Sequence, residues 1–300
     1  MSVAIKHIRH QFPVIAALGK TALLAARQKL GGAAGPSVAL PGPEVTATVP
    51  PRDDGLMRAF VTHLGGDPND YRGFVPPHLF PQWTFPVLAK TLAGVPYPLL
   101  ELLNGGCRVR FNGPIPAGEP LVTRAHLQGI DDDGRRAILH QVLTTGTTTD
   151  PDALSIDFYP IVRLRPKDGD KDKKEPKDKP TVPVDGVREI GRWRLGSGAG
   201  RDFAVLTGDF NPVHWVRPAA QAMGFENVIL HGFAELGRVI EALVRVLWAG
   251  DYTRLGVIDV RFVRPLVLPR EVGAYIRDHE LWLGDAPGGP AYMTGTFAER

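Results

Sequence analysis

The run IDVRFVRPLV (258–267) has an echo in CRVRFNGPIP (107–116). Each carries Val-Arg-Phe with a proline three positions on: Val109, Arg110, Phe111 and Pro114 against Val260, Arg261, Phe262 and Pro265. Each is followed by a turn and an alternating run, LVTRAHL (121–127) and VGAYIRD (272–278), the pattern of antiparallel strands. Upstream, AFVTHLGGDPNDYR (59–72) aligns without gaps on the stretch ending at His214, setting Gly66, Asp67 and Asn69 against Gly208, Asp209 and Asn211. Between these anchors each copy has a helical stretch, WTFPVLAKTLAG (83–94) and HGFAELGRVIEALVRVLW (231–248). Ordered matches on both sides of a helix predict a duplicated unit.

The copies differ in their polar residues. On this alignment Arg72 stands where the second copy has His214, Asp70 where it has Pro212, and Trp83-Thr84 opposite His231-Gly232. One copy keeps a polar constellation and the other has lost its imidazole. RPKDGDKDKKEPKDKPTVPVDG (165–186), nearly all Lys, Asp, Glu, Pro and Gly, separates them. With balanced charge and little to bury, it reads as a flexible linker. The expected organisation is an N-terminal helical extension over 1–45, a degenerate half over 46–164, the linker over 165–186 and the polar half over 187–300.

Composition narrows the function. The chain has 300 residues, 43% of them hydrophobic, and a net charge of +3. That charge, with no basic stripe interleaved with aromatics, argues against nucleic acid as a partner. The single cysteine, Cys107, excludes an intrachain disulfide and a thiolate metal cluster, and its strand-like setting reads as a structural thiol. A cytoplasmic protein of a reducing compartment is expected. The stretch KHIRHQFPVIAALGKTALLAARQKL (6–30) starts basic and turns apolar, but Lys20 interrupts it short of the roughly 20 residues that span a bilayer. It reads as a helix docked on its own protein, with weak membrane-surface contact the minority alternative.

LTGDFNPVHW (206–215) carries the chemistry. Asn211-Pro212 forces a bend, because proline fixes its own φ and keeps its predecessor extended. A helical turn started by Pro212 carries His214, so the Asp209 carboxylate and the His214 imidazole converge. A water between them is set up for general acid–base chemistry. The competing reading is an Asx turn at Asp209, a backbone role for Asn211 and a core histidine at 214. Downstream, Leu230-His231-Gly232 opens the long apolar helix, placing Gly232 where free N–H groups and the positive dipole end meet a developing oxyanion. A glycine there lets a ligand approach the backbone closely. Trp215 and Phe225 flank the motif and are candidates for an acyl tunnel, although core packing is the ordinary role of each. GSGAGRDF (196–203) lacks the setting and spacing of a dinucleotide loop and reads as a flexible entry to the Asp209 segment.

T-G-D-F-N-P-V-H (207–214), followed by A-x-x-x-G-F and I-L-H-G-F, resembles the signature of the MaoC-like (R)-specific enoyl-CoA hydratases and the related 3-hydroxyacyl-thioester dehydratases. The match is good over 203 to about 240, and the VRFVRPLVLP strand is typical of the family. The resemblance implies an α+β fold, a tandem (double) hot-dog whose antiparallel sheets each wrap a central helix. It implies Asp209 and His214 as the catalytic pair and Gly232 in the oxyanion hole. Asn211 would position them, with His231, Trp215 and Phe225 toward the substrate. The degenerate half would shape the acyl pocket. It implies hydration of trans-2-enoyl thioesters of coenzyme A or acyl carrier protein, or the reverse, with no metal or redox cofactor, by a monomer or homodimer. Arg217, Arg261 and Arg264 are candidates to meet carrier phosphates, although solvated surface is the ordinary role of each. The alternatives are a hot-dog acyl-thioesterase, against which the Asn-Pro-Val-His motif speaks, and a non-catalytic acyl-thioester binding protein.

Overall fold

The two Val-Arg-Phe runs meet at the seam of the molecule. The computed structural model describes residues 3–17, 19, 38–164 and 179–300. The N-terminal half supplies β1 (Val45–Val49), β2 (Leu103–Phe111), β3 (Leu121–Asp132), β4 (Arg136–Gly146) and β5 (Leu154–Arg163). The C-terminal half supplies β6 (Arg188–Leu195), β7 (Leu255–Phe262), β8 (Arg270–Arg277), β9 (Glu280–Gly284) and β10 (Ala291–Glu299). They form one 10-stranded antiparallel sheet, ordered β1-β3-β4-β5-β2-β7-β10-β9-β8-β6. From its outer edge inward, each half has the same order: first, third, fourth, fifth, second. That repeated order is the duplication in three dimensions, a tandem hot-dog. The sheets of the two halves join edge to edge through β2 and β7, with Cys107 opposite Val260 and Val109 opposite Ile258. Cys107 is fully buried in that seam, and burial pushes its thiol well above the ordinary range.

From residue 38 on, five α-helices are ordered along the described chain: α1 (Asp54–Leu64), α2 (Pro81–Thr91), α3 (Ala199–Thr207), α4 (Arg217–Ala222) and α5 (Gly232–Trp248). In the central helix α5, Phe233, Leu236, Val239, Ile240, Leu243 and Val244 are all buried, as expected of a helix enclosed by its own fold. Its Phe233 meets Phe80 at 5.1 Å, Phe158 at 5.4 Å and Phe85 at 6.0 Å between ring centroids, so an aromatic cluster joins the two halves. No helix among the described residues is long and apolar enough to cross a membrane.

The structure corrects two expectations. The ungapped pairing of the two turns does not survive, because backbone conformation sets a different register. Gly65 (φ 92°) caps α1 as Gly208 (φ 85°) caps α3. Asp67 and Asn211 are both N-caps followed by a proline, Pro68 and Pro212. Gly66 alone therefore fills the first copy where Asp209 and Phe210 stand in the second. His214 then faces Asp70 rather than Arg72, and His231-Gly232 faces Phe80-Pro81. The second correction concerns the linker. Residues 165–178 lie outside the described residues, as do 1–2, 18 and 20–37 of the extension. The linker is, however, tied down at one point: Val182 is fully buried, its N–H donates to Gly289 O at 2.9 Å, and Thr181 bridges Pro290. Val182 gives this end an apolar side chain to bury, which the charged stretch before it lacks.

Candidate active site

Helix α3 ends where Gly208, in the left-handed region, sends its N–H to Ala204 O at 2.7 Å and turns the chain. Asp209 follows. Its Oδ1 accepts from Asn211 N at 3.3 Å, and Asn211 Oδ1 accepts from Val213 N at 3.3 Å, so two successive Asx turns carry the backbone into the 3-10 turn Pro212–His214. There the His214 Nδ1–H donates to Ile229 O at 2.9 Å, which leaves Nε2 as the free lone pair. The bond also ties this turn to the strand-like segment that leads into α5.

His231 is the second anchor. Its Nε2–H donates to the Asp209 backbone carbonyl at 2.9 Å, and Nε2 lies 3.8 Å from Asp209 Oδ2. Its ring stacks on that of His214, with centroids 3.6 Å apart and planes 25° from parallel. Burial raises the Asp209 carboxyl above its ordinary value, and the His214 imidazole beside it works the other way. Burial lowers His214 below its ordinary value, partly offset by Asp209, and lowers His231 well below. The site thus holds neutral imidazoles beside a carboxylate that is readily protonated.

Gly232 is the first residue of α5, so its N–H has no intrahelical acceptor. The glycine itself serves packing. A Cβ at 232 would lie 2.8 Å from ring atoms of Phe262, whereas the sequence reading gave that space to a ligand.

A cavity of about 480 Å³ joins these groups to the degenerate half. Asp209, Asn211, His214, His231 and Gly232 line one end of it. Phe85, Leu88 and Leu92 of α2, Gly105 of β2, and Phe158 and Ile161 of β5 line its continuation across the seam. Trp215 and Phe225 do not line it. Trp215 is 43% exposed with Nε1–H bonded to Phe210 O at 3.1 Å, and Phe225 packs partly buried against the core. Of the candidate phosphate ligands, Arg264 lines the cavity, Arg217 is exposed away from it, and Arg261 pairs with Asp259 at 2.8 Å.

Two contributors were missed from sequence. Glu235 of α5 lines the cavity at 3% exposure, and its Oε2 has no hydrogen-bond partner. Burial raises its acid well above the ordinary value, which favours the protonated form and with it a hydrogen-bond donor. The available signal was Glu235, Arg238 and Glu241 at three-residue spacing inside the otherwise apolar stretch 232–244. Gly200, expected in a flexible entry, instead lies in the first turn of α3. A Cβ there would stand 2.1 Å from His214 O, so the missing side chain lets α3 pack against the motif's backbone.

Among the described residues, two groups of three gather metal-ligating atoms within 4.8 Å: Asp209, His214 and His231, and His7, His10 and Asp53. In the first, the stacked rings present faces to each other, and each already donates from one nitrogen to a backbone carbonyl. In the second, Arg9 Nε sits 3.1 Å from His10 Nε2 and places a cation where an ion would bind.

Residues 172–281 match the model of the MaoC-like domain, a span that includes the whole Asp209–Gly232 site. That part of the chain is a MaoC-like domain. The chain is 28% identical over 181 residues to a protein of Arabidopsis thaliana named enoyl-CoA hydratase 2, peroxisomal, covering 57% of this chain and 58% of that one. It is 31% identical over 180 residues to 3-hydroxyacyl-thioester dehydratase Y of Mycobacterium tuberculosis, covering 57% and 59%. The chain thus spans less than two thirds of either relative. The crystal structure of HtdX from M. tuberculosis superposes with a TM-score of 0.67 at 22% identity, over 85% of this chain and 99% of HtdX, a likeness of fold.

Proposed function

We propose that this protein adds water reversibly to trans-2-enoyl thioesters, giving (R)-3-hydroxyacyl thioesters, or runs the reverse dehydration. The observation that carries the proposal is one cavity with the Asp209–His214 pair and the first N–H groups of α5 at one end and an apolar passage at the other. In this reading the thioester oxygen lies at the N-terminus of α5, where the Gly232 N–H and the helix dipole take up charge developing on it. Asp209 and the free Nε2 of His214 hold a water over the double bond. Its oxygen bonds to C3 and its proton passes through the pair to C2 on the same face, as the C2–C3 π bond opens. His231 keeps the pair in register, and Asn211 keeps Asp209 turned inward. The acyl chain runs under α2 into the degenerate half. The chain's own residues suffice for each step, and coenzyme A or acyl carrier protein is the carrier. The names of the aligned relatives support the same chemistry.

The test is to mix purified protein with trans-2-enoyl-CoA esters of graded chain length and follow loss of the conjugated enoyl absorbance. Rapid loss with an (R)-3-hydroxyacyl product is expected. Release of free thiol without hydration would instead identify a thioesterase, and an inert mixture with both CoA and carrier-protein esters would leave a binding protein.

A further inference from the structure

Residues 5–17 precede both halves and lie outside the span of the family match, yet they pack on the segment that delivers Asp209. Ile5–Gln11 is a 3-10 turn, and residues 12–17 continue it as a helix. Gln11 is completely buried. Its Nε2 donates to Leu206 O at 2.9 Å and to Val205 O at 3.2 Å. Both carbonyls belong to the last turn of α3, where helix geometry leaves them without an intrahelical donor. The amide is itself held in place, because Gln82 Nε2 donates to Gln11 Oε1 at 3.1 Å and Arg52 Nη1 donates to Gln82 Oε1 at 2.9 Å. One turn further on, Val14 is 1% exposed and lies over Gly208, where a Cβ would come within 2.7 Å of the valine's own Cβ. Gln11 therefore closes the end of α3, and Val14 bears on the left-handed glycine immediately before Asp209.

We propose that residues 5–17 clamp the active-site turn, with Gln11 and Val14 as positioning residues for Asp209; the inference rests on the reading of Asp209 and His214 given above. The turn is gripped from two sides, by His231 on the Asp209 carbonyl and by the N-terminal segment on the helix end behind it. Removing Gln11's amide leaves two carbonyls of α3 unsatisfied inside the protein. The last turn of α3 then loosens, and with it the placement of a carboxylate whose chemistry tolerates little displacement.

The test compares full-length wild type with Gln11→Ala, Val14→Ala and the exposed-site control Phe12→Ser. Each is assayed on one trans-2-enoyl-CoA ester, with melting temperature and amide hydrogen exchange over residues 206–216 recorded in parallel. Gln11→Ala and Val14→Ala should each lower kcat roughly ten- to a hundredfold, with little change in KM, and exchange faster over 206–216. Phe12→Ser, at a residue 64% exposed, should match wild type. Wild-type kcat and exchange in both clamp variants, even with a lowered melting temperature, would reduce the segment to a stabilising tail and overturn the proposal. Should wild type hydrate no enoyl thioester, the functional reading fails by itself, and exchange over 206–216 still decides whether the clamp exists.

Discussion

Asp209 is held where its charge is costly. Burial raises its folded-state pKa above the ordinary 3.8, so the stability this group contributes is present at low pH and lost as pH rises through the raised value. At neutral pH the native protein carries that cost, and Asp209→Asn should remove it. The expected outcome is a variant with kcat down by at least about a hundredfold, unchanged affinity for a saturated acyl-CoA, and a higher urea midpoint at pH 7. A lower midpoint would contradict the burial argument, and retained activity the site assignment. The same shift sets the acid limb of the rate profile. Activity of wild type should fall on acidification at a pH above 3.8, which a pH series of kcat/KM would show.

At the scale of elements, the site depends on how closely α3, the 3-10 turn and α5 approach one another. Gly200 on α3 has no room for a methyl group against His214 O, and Gly232 on α5 has none against Phe262. Gly200→Ala should separate α3 from the turn, costing roughly 1–3 kcal/mol of stability by overpacking and about tenfold or more in kcat. Circular dichroism and steady-state rates on the same sample would check both. A fully active Gly200→Ala protein would mean that the turn tolerates the displacement. Gln11 works at this scale too, by completing a helix end that the family-matched region leaves open.

Across the whole molecule, the halves are joined by polar groups as well as by the Phe233 cluster. His78, just before α2, places Nε2 2.9 Å from Oε1 of Glu241 on α5, with both side chains 1% exposed. The Glu241 carboxylate rests against Gly66, where a Cβ would stand 1.9 Å away. A side chain from the C-terminal half thus occupies the first copy's counterpart of the Asp209 position. Glu241→Ala should destabilise the fold by about 3 kcal/mol, because it strands a buried partner, and chemical denaturation would measure the loss. Histidines set the acid limit. His63, lowered from 6.5 to about 3 by burial and by Arg238, stays neutral in the fold while the unfolded chain takes up a proton below 6.5. That group alone should remove about 3 kcal/mol of stability by pH 4, and His214 and His231, also lowered by burial, act in the same direction. Unfolding midpoints that stay flat from pH 7 to pH 4 would refute this.

The local signals in the chain were sufficient for the fold and for the turn that brings Asp209 and His214 to one cavity. Val-Arg-Phe with its proline repeated because each copy must place a central strand at the same seam. Gly-Asp-x-Asn-Pro-x-His was legible because turns and caps are built from neighbours in sequence. What sequence could not reach was every feature made by residues distant along the chain. The stacking of His231 on His214, the Gln11 amide closing α3, Gly200 against His214 O and Glu241 filling the other copy's site all join separate segments. The register of the two turns also had to come from the backbone, because an ungapped match of Gly, Asp and Asn outweighs a one-residue insertion until the left-handed glycines are seen. Chain-neighbour geometry is encoded locally, whereas packing partners and burial, and with them the proton affinities of Asp209, His214 and Glu235, exist only once the two halves have closed around α5.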